Sequence, residues 1–123
     1  MDKRLGIMLP ILVILVIGIG IALYFLRGNI ENIPVQNRVT VSKNGFSPSS
    51  ITIKRGEAVV WINQSGEDAS VNSGPHPTHD LHRFLNLGQF PSKSSVGVTF
   101  NETGTFDYHN HFHPEQIGAI VVK

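Results

Sequence analysis

The chain has 123 residues, with ten lysines and arginines against nine aspartates and glutamates, and its formal net charge is +1. This length suits one domain, and the absence of a basic patch argues against a nucleic-acid partner. The sequence contains no cysteine, which excludes disulfides, thiolate-bound zinc, iron–sulfur clusters and thiol catalysis.

The first predicted element is the apolar run LGIMLPILVILVIGIGIALYFL, residues 5–26. It carries no charge and would span about 33 Å as a helix, roughly one bilayer core. The run is longer than a secretory signal peptide and lacks a small-residue cleavage motif, so the pattern predicts an uncleaved membrane anchor over residues 1–27. Lys3 and Arg4 favour a cytoplasmic N-terminus. We therefore expect a single-pass protein of the cell membrane, with its C-terminal domain outside the cytoplasm.

Residues 28–36, GNIENIPVQ, are too few and too irregular to pack, and they are predicted to form a tether. The remaining residues, 37–123, are predicted to form one domain built from short β-strands separated by turns. The segments with strand-like patterns are 39–42, 51–53, 58–62, 96–100, 106–108 and 119–122. No segment after residue 27 has a helical period. Short strands at close spacing predict an all-β sandwich or barrel.

Three segments carry a resemblance to a known family. FSPSSITIKRGEAVVWIN (46–63), TFNETGTFDYH (99–109) and HPEQIGAIVV (113–122) resemble the cupredoxins, in particular the small plastocyanin-like and amicyanin-like members. The likeness lies in the order of the motifs as well as their composition. The resemblance, and not the periodicity, implies an antiparallel Greek-key β-sandwich.

The metal ligands of that family match only in part. Blue-copper members hold copper with two histidines, a cysteine and usually an axial methionine. The resemblance places the second histidine at His113 and the axial ligand at Gln116, where glutamine is a known alternative. The cysteine position holds Asn110, and the first histidine position holds Ala69. Since the thiolate is missing, a blue-copper centre is not expected, and Asn110 and Gln116 are candidate remnants of its pocket.

All six histidines fall in two short segments, PHPTHDLH and YHNHFH, residues 75–82 and 108–113. Because alternate side chains of a strand share one face, His109 and His111 are predicted to form a two-point metal ligand. A turn at Pro77-Thr78 would present His76 and His79 to them. His113 is either a fifth donor or a remnant of the family's pocket, whereas His82 is predicted to be a surface or packing residue.

Copper(II) is the first choice of metal, because it binds nitrogen donors most tightly among the divalent ions, and zinc is the alternative. The sequence therefore predicts a membrane-anchored, extracytoplasmic protein for copper sequestration or delivery. Electron transfer, as in the family that the chain resembles, is one alternative. A structural or interaction domain without metal is another.

No catalytic activity is expected, because paired carboxylates and a nucleophile motif are lacking. A type 2 copper oxidoreductase is the enzyme class that histidine donors leave open. The sequence predicts contact with the membrane through residues 5–26, and it does not identify the protein partner for metal or electron exchange.

Overall fold

The computed structural model describes residues 13–24 and 32–123, and residues 13–24 form an α-helix, α1. Within these ranges no helix is long and apolar enough to cross a membrane. The predicted single-pass location in the cell membrane is therefore wrong. The other parts of the predicted span, 5–12 and 25–26, lie outside the described residues.

A compact unit extends over Ile33–Lys123, and it carries all six histidines. It begins a few residues before the boundary predicted at residue 37. The division into anchor, tether and domain stays a prediction, because residues 25–31 lie outside the described part of the chain.

Nine β-strands of this unit form two sheets. They are β1 Arg38–Ser42, β2 Gly45–Ser47, β3 Ser50–Ile53, β4 Ala58–Asn63, β5 Ala69–Ser73, β6 Gly88–Phe90, β7 Ser95–Thr99, β8 Gly104–Asn110 and β9 His113–Val122. One sheet has the order β2-β1-β4-β7 and the other the order β3-β9-β8-β5-β6. Two short 3-10 helices, Val35–Asn37 and Arg83–Leu85, complete the unit.

The predicted all-β sandwich with two sheets is confirmed, but its strands are not all antiparallel. β1 runs parallel to β4, and β3 runs parallel to β9. The other strand pairs are antiparallel. Parallel neighbours come from distant parts of the sequence, so the alternation within each strand could not reveal them.

The core lies between the two sheets and follows the alternation that the sequence shows. Val39 and Val41 of β1 point inward and are fully buried. Trp61 of β4 is also fully buried, as predicted for a strand covered on both sides. Its ring packs edge-on against Tyr108 at a centroid distance of 5.2 Å. Tyr108 thus places the inner face of β8 against the core, and the next residue, His109, faces the outer side.

The connection from β5 to β6 is the longest in the sandwich and spans residues 74–87. Its 3-10 helix buries Leu85 completely in the core. Leu87 donates its backbone N–H to the Val71 carbonyl at 2.9 Å. These contacts fix the end of the connection, so its histidine-bearing part, residues 74–82, starts and finishes beside β5.

Gly118 provides a test of this packing. A Cβ added at Gly118 would overlap the buried Tyr108 ring. Gly118→Ala should therefore lower the free energy of unfolding by about 1–3 kcal/mol, the usual cost of overpacking a core. Urea denaturation of the metal-free chain measures it.

Gly74→Ala is the matched control, because no heavy atom lies within 4 Å of its added Cβ. We expect it to change stability by less than about 0.5 kcal/mol. A Gly118→Ala variant as stable as the parent would contradict the contact with Tyr108.

Candidate metal site

Four histidine rings meet on the outer side of the five-stranded sheet. One ring nitrogen from each of four histidines lies within 4.8 Å of the other three: His76, His79, His109 and His111. His79 is at the centre: its Nε2 lies 3.1 Å from His109 Nε2 and 3.2 Å from His111 Nδ1. Among the residues that the structure describes, this is the one group of three or more potential ligands that converges in this way.

These distances fit ligands of a shared ion better than a hydrogen-bonded cluster. The Nε2 atom of a neutral histidine either donates one hydrogen bond or accepts one, yet His79 Nε2 has two ring nitrogens at hydrogen-bond distance. A metal ion binds imidazole nitrogen at about 2.0–2.1 Å, which places neighbouring donors about 2.9–3.4 Å apart. The two separations at His79 Nε2, 3.1 and 3.2 Å, fall in that range, so His79, His109 and His111 are placed to share one ion.

The two histidines at the end of β8 come together in a different way from the one predicted. His109 is the penultimate residue of β8 and is 5% exposed. The pairing of β8 with β9 is irregular between His109 and Asn110, and β8 ends there. His111 therefore lies in the turn, where its backbone N–H donates to Ser70 Oγ at 2.7 Å. The two rings share a face because of this turn and not because of a continuous strand.

The other two histidines are presented by the connection from β5. His79 has a positive φ of 54°, which is uncommon for a residue with a Cβ. Its N–H donates to the Pro75 carbonyl at 2.8 Å. Asn86 also restrains the backbone of His79. Its Nδ2 donates to the His79 carbonyl at 2.6 Å, and its Oδ1 accepts the Ser73 N–H at 2.9 Å.

Asn86 is a residue that the sequence analysis missed. It ties the backbone of His79 to the end of β5 with both ends of its amide. In the sequence it precedes Leu87-Gly88, where an asparagine reads as an ordinary turn residue. No local signal distinguishes it, because its partners lie seven and thirteen residues away.

The electrostatics of the cluster keep its inner rings neutral. Burial lowers the pKa of His109, and the neighbouring His79, His76 and His111 lower it further. Burial also lowers the pKa of His79, assisted by His111 and His76. Metal ligation requires neutral imidazole, so the site favours the protonation state that binds metal.

The pocket that the resemblance assigns to copper is filled by an amide network. Asn110 is 2% exposed, and its Oδ1 accepts the N–H groups of Ser70 and Phe112, each at 3.2 Å. Its Nδ2 donates to Gln116 Oε1 at 3.0 Å. Gln116 in turn donates to the Lys43 carbonyl at 3.1 Å. Asn110 and Gln116 thus bind each other and the backbone.

The structure does not bring the fifth candidate histidine into the cluster. His113 Nε2 lies 3.0 Å from Glu67 Oε1, and its Nδ1 lies 3.6 Å from Glu115 Oε1. Ala69, at the position of the family's first histidine, is buried and offers no donor. His82 also lies outside the cluster and packs edge-on against Phe106, with ring centroids 4.8 Å apart.

Comparisons with known proteins agree with this fold. No protein-family model matches the chain. The chain is 32% identical over 87 residues to amicyanin-alpha of Methylorubrum extorquens, covering 69% of this chain and 70% of that protein. It is 28% identical over 90 residues to amicyanin of Paracoccus denitrificans and covers 63% of it, a little under two thirds.

Solved structures of cupredoxins superpose on this chain. A purple cupredoxin from Nitrosopumilus maritimus superposes with a TM-score of 0.62 at 19% identity, over 70% of this chain and 98% of that one, which shows the fold alone. A reduced amicyanin variant superposes with a TM-score of 0.58 at 26% identity, over 70% of this chain and 80% of that one. The chain belongs to the cupredoxin family. Within that family, the relatives it matches in sequence are amicyanins.

Asn86 should position the histidine-bearing connection for metal binding. Asn86→Ala removes both amide contacts and should weaken metal binding about 10–100-fold, the usual effect of losing a group that orients a ligand. Asn86→Asp keeps an acceptor for the Ser73 N–H but loses the donor to His79, so it should also bind more weakly. Calorimetric titration with copper(II) measures both.

Asn101→Ala is the control for this prediction, since Asn101 is an exposed residue between β7 and β8. Urea denaturation of the metal-free variants separates positioning from stability. If Asn86→Ala lowers stability but leaves copper affinity at the parent value, Asn86 has no role in presenting His79.

The lowered pKa values also predict how stability depends on pH. The folded chain holds His79 and His109 neutral where unfolded histidines, with a pKa of about 6.5, bind protons. The metal-free chain should therefore be most stable above about pH 6.5 and should lose stability as pH falls from there to the lowered folded-state pKa values, below which both states are protonated. Denaturant titrations at several pH values measure the slope.

Replacing both inner histidines with glutamine should make this slope shallower between about pH 5 and 7. His82→Gln serves as the control and should keep the parent slope, because His82 lies outside the cluster. Identical slopes for the parent and the double variant would contradict the neutral, buried state of His79 and His109.

Proposed function

We propose that the chain binds one copper(II) ion through His76, His79, His109 and His111, and that it sequesters copper or delivers it to a partner protein. The observation that carries this proposal is the convergence of two ring nitrogens on His79 Nε2 at 3.1 and 3.2 Å. His113 is left out of the ligand set because its ring faces Glu67 and Glu115.

The donor set favours copper. Four neutral imidazoles without a thiolate suit copper(II), which exceeds the other divalent first-row ions in affinity for nitrogen donors. Amicyanin variants have been solved in a Cu(I) form, and one of them superposes on this chain with a TM-score of 0.56 at 25% identity. The comparisons name copper proteins and give no support to zinc, which remains the second choice on donor chemistry alone.

Binding and transfer of the ion suit this site better than electron transfer. In blue-copper sites a cysteine sulfur and its surroundings tune the redox potential, and this chain has no cysteine. Copper(I) prefers soft sulfur ligands, so reduction would weaken an all-imidazole site. Electron transfer is kept as the second candidate, because the matched relatives include amicyanins solved in oxidized and reduced states.

The proposal is one of binding and not of catalysis. The sequence offers no cysteine nucleophile, and the candidate ligands are imidazoles whose lowered pKa values favour ligation. An oxidoreductase activity of the copper-loaded chain would require a bound substrate in addition to the metal.

Substitution of single histidines tests the ligand set. His79→Ala and His111→Ala should each weaken copper(II) binding by at least about 100-fold, since ligand loss costs no less than loss of a supporting contact. His82→Ala and His113→Ala should bind like the parent. Copper should raise the unfolding temperature of the parent, because it binds only the folded chain.

Spectroscopy of the loaded chain gives an independent readout. We expect a weak d–d spectrum and tetragonal EPR with nitrogen splitting, without the intense thiolate band near about 600 nm. If His82→Ala is as damaging as His79→Ala, or if His79→Ala and His111→Ala both bind like the parent, the four-histidine site is wrong. A chain that takes up no copper contradicts the function as a whole.

A further inference from the structure

His111 depends more on local backbone hydrogen bonds for its position than His109 does. Its side chain is exposed, and it follows the last residue of β8, in the turn that leads to β9. His109, by contrast, is buried and is paired within the sheet with Asn72 on one side and Ile117 on the other. Because no strand pairing holds His111, the contacts of the turn decide where its ring lies.

Two consecutive backbone N–H groups of this turn are bound by buried polar side chains. The His111 N–H donates to Ser70 Oγ at 2.7 Å, and the Phe112 N–H donates to Asn110 Oδ1 at 3.2 Å. The second contact is the local turn that an asparagine side chain commonly forms with the residue two positions on. Since a peptide unit is planar, fixing both N–H groups restrains the two peptide planes that flank His111, and with them the direction of its Cα–Cβ bond.

Ser70 is itself held in place. It lies in β5 and is 2% exposed. Its N–H donates to Asn110 Oδ1 at 3.2 Å, and its hydroxyl oxygen lies 3.5 Å from the same atom. A hydroxyl that directs its proton toward Asn110 keeps its lone pairs for the His111 N–H. The acceptor of the His111 N–H is therefore fixed by its backbone and by its own hydroxyl proton.

We propose that Ser70 is a positioning residue of the copper site: its hydroxyl, aligned by Asn110, keeps the turn after β8 in the conformation that brings His111 to His79. This inference rests on the proposed function. His111 Nδ1 and His79 Nε2 are 3.2 Å apart, a separation that ligands of one ion require. Groups that orient a metal ligand without touching the metal typically change metal affinity about 10–100-fold.

The same contacts give Asn110 a role in the histidine site. Asn110 stands where the family resemblance places the thiolate, and its Oδ1 accepts the N–H groups of both Ser70 and Phe112. A side chain without this oxygen would release both groups. The residue that replaces the blue-copper ligand therefore also supports the turn that presents His111.

Amide hydrogen exchange tests the contact in the metal-free chain. The His111 N–H should exchange about 10-fold faster in Ser70→Ala than in the parent, because it loses its acceptor and opens more readily. Ser65→Ala is the matched control. Ser65 is also a buried serine, and its hydroxyl lies 2.7 Å from Asn63 Oδ1 and 3.0 Å from the Glu67 carbonyl oxygen. It should leave exchange at His111 unchanged, and urea denaturation checks that both variants are folded.

A double-mutant cycle tests whether Ser70 acts through His111. Copper(II) affinity is measured for the parent, Ser70→Ala, His111→Ala and the double variant. Ser70→Ala should weaken binding about 10–100-fold, and the double variant should bind no more weakly than His111→Ala, because the two losses are then the same loss. The EPR nitrogen splitting of copper-loaded Ser70→Ala should shift toward that of His111→Ala, whereas Ser65→Ala keeps the parent affinity and spectrum.

The outcomes separate this inference from the function on which it rests. If the parent takes up no copper, the proposed function fails and the positioning role fails with it. If copper loads but Ser70→Ala binds it like the parent, or if the two losses add in the double variant, the positioning role is overturned while the four-histidine site stands. Equal exchange rates for the His111 N–H in the parent and in Ser70→Ala would contradict the hydrogen bond itself.

Discussion

The pairing of β5 with β8 is the constraint on which the candidate site depends. Asn72 lies opposite His109, and Ser73 lies opposite Tyr108. His76 follows β5 within three residues, and His111 follows the end of β8. The two histidine pairs are separated by some thirty residues of sequence, yet this short antiparallel ladder brings their chain segments to one place. Without it, the cost of closing the intervening loop would oppose any shared site.

The potential metal-binding side chains of β8 do not lie on the face that the family resemblance implies. The inner face would hold a thiolate at residue 110, but Asn110 uses its amide there to bind backbone N–H groups and Gln116. A buried amide with these partners stabilises the end of the sandwich. The outer face carries His109, which has no equivalent among the ligands expected from the resemblance. The candidate metal site thus lies on the opposite face of β8 from the pocket that the resemblance implies.

The features that were predicted correctly from the sequence are those that depend on neighbouring residues. Alternation placed Val39, Val41 and Trp61 in the core, because burial of one face imposes a period of two. The histidine clusters were visible from composition and spacing alone. The resemblance supplied the fold family, which periodicity could not.

The remaining features depend on contacts between distant residues. The parallel pairs β1–β4 and β3–β9 leave no signature within either strand. The His113 ring is held away from the cluster by its contact with Glu67, which is 46 residues away in the sequence.

The conformation of His79 links the fold to the candidate chemistry. A left-handed φ at a residue with a Cβ costs on the order of 1–3 kcal/mol and persists only when its surroundings impose it. The hydrogen bonds to the Pro75 carbonyl and from Asn86 supply part of that restraint. A bound ion would supply more, since it stabilises only the arrangement in which His79 Nε2 meets its two neighbours. Loss of the ion would then weaken the connection 74–82 first, because Leu85 anchors the following residues in the core independently of the metal.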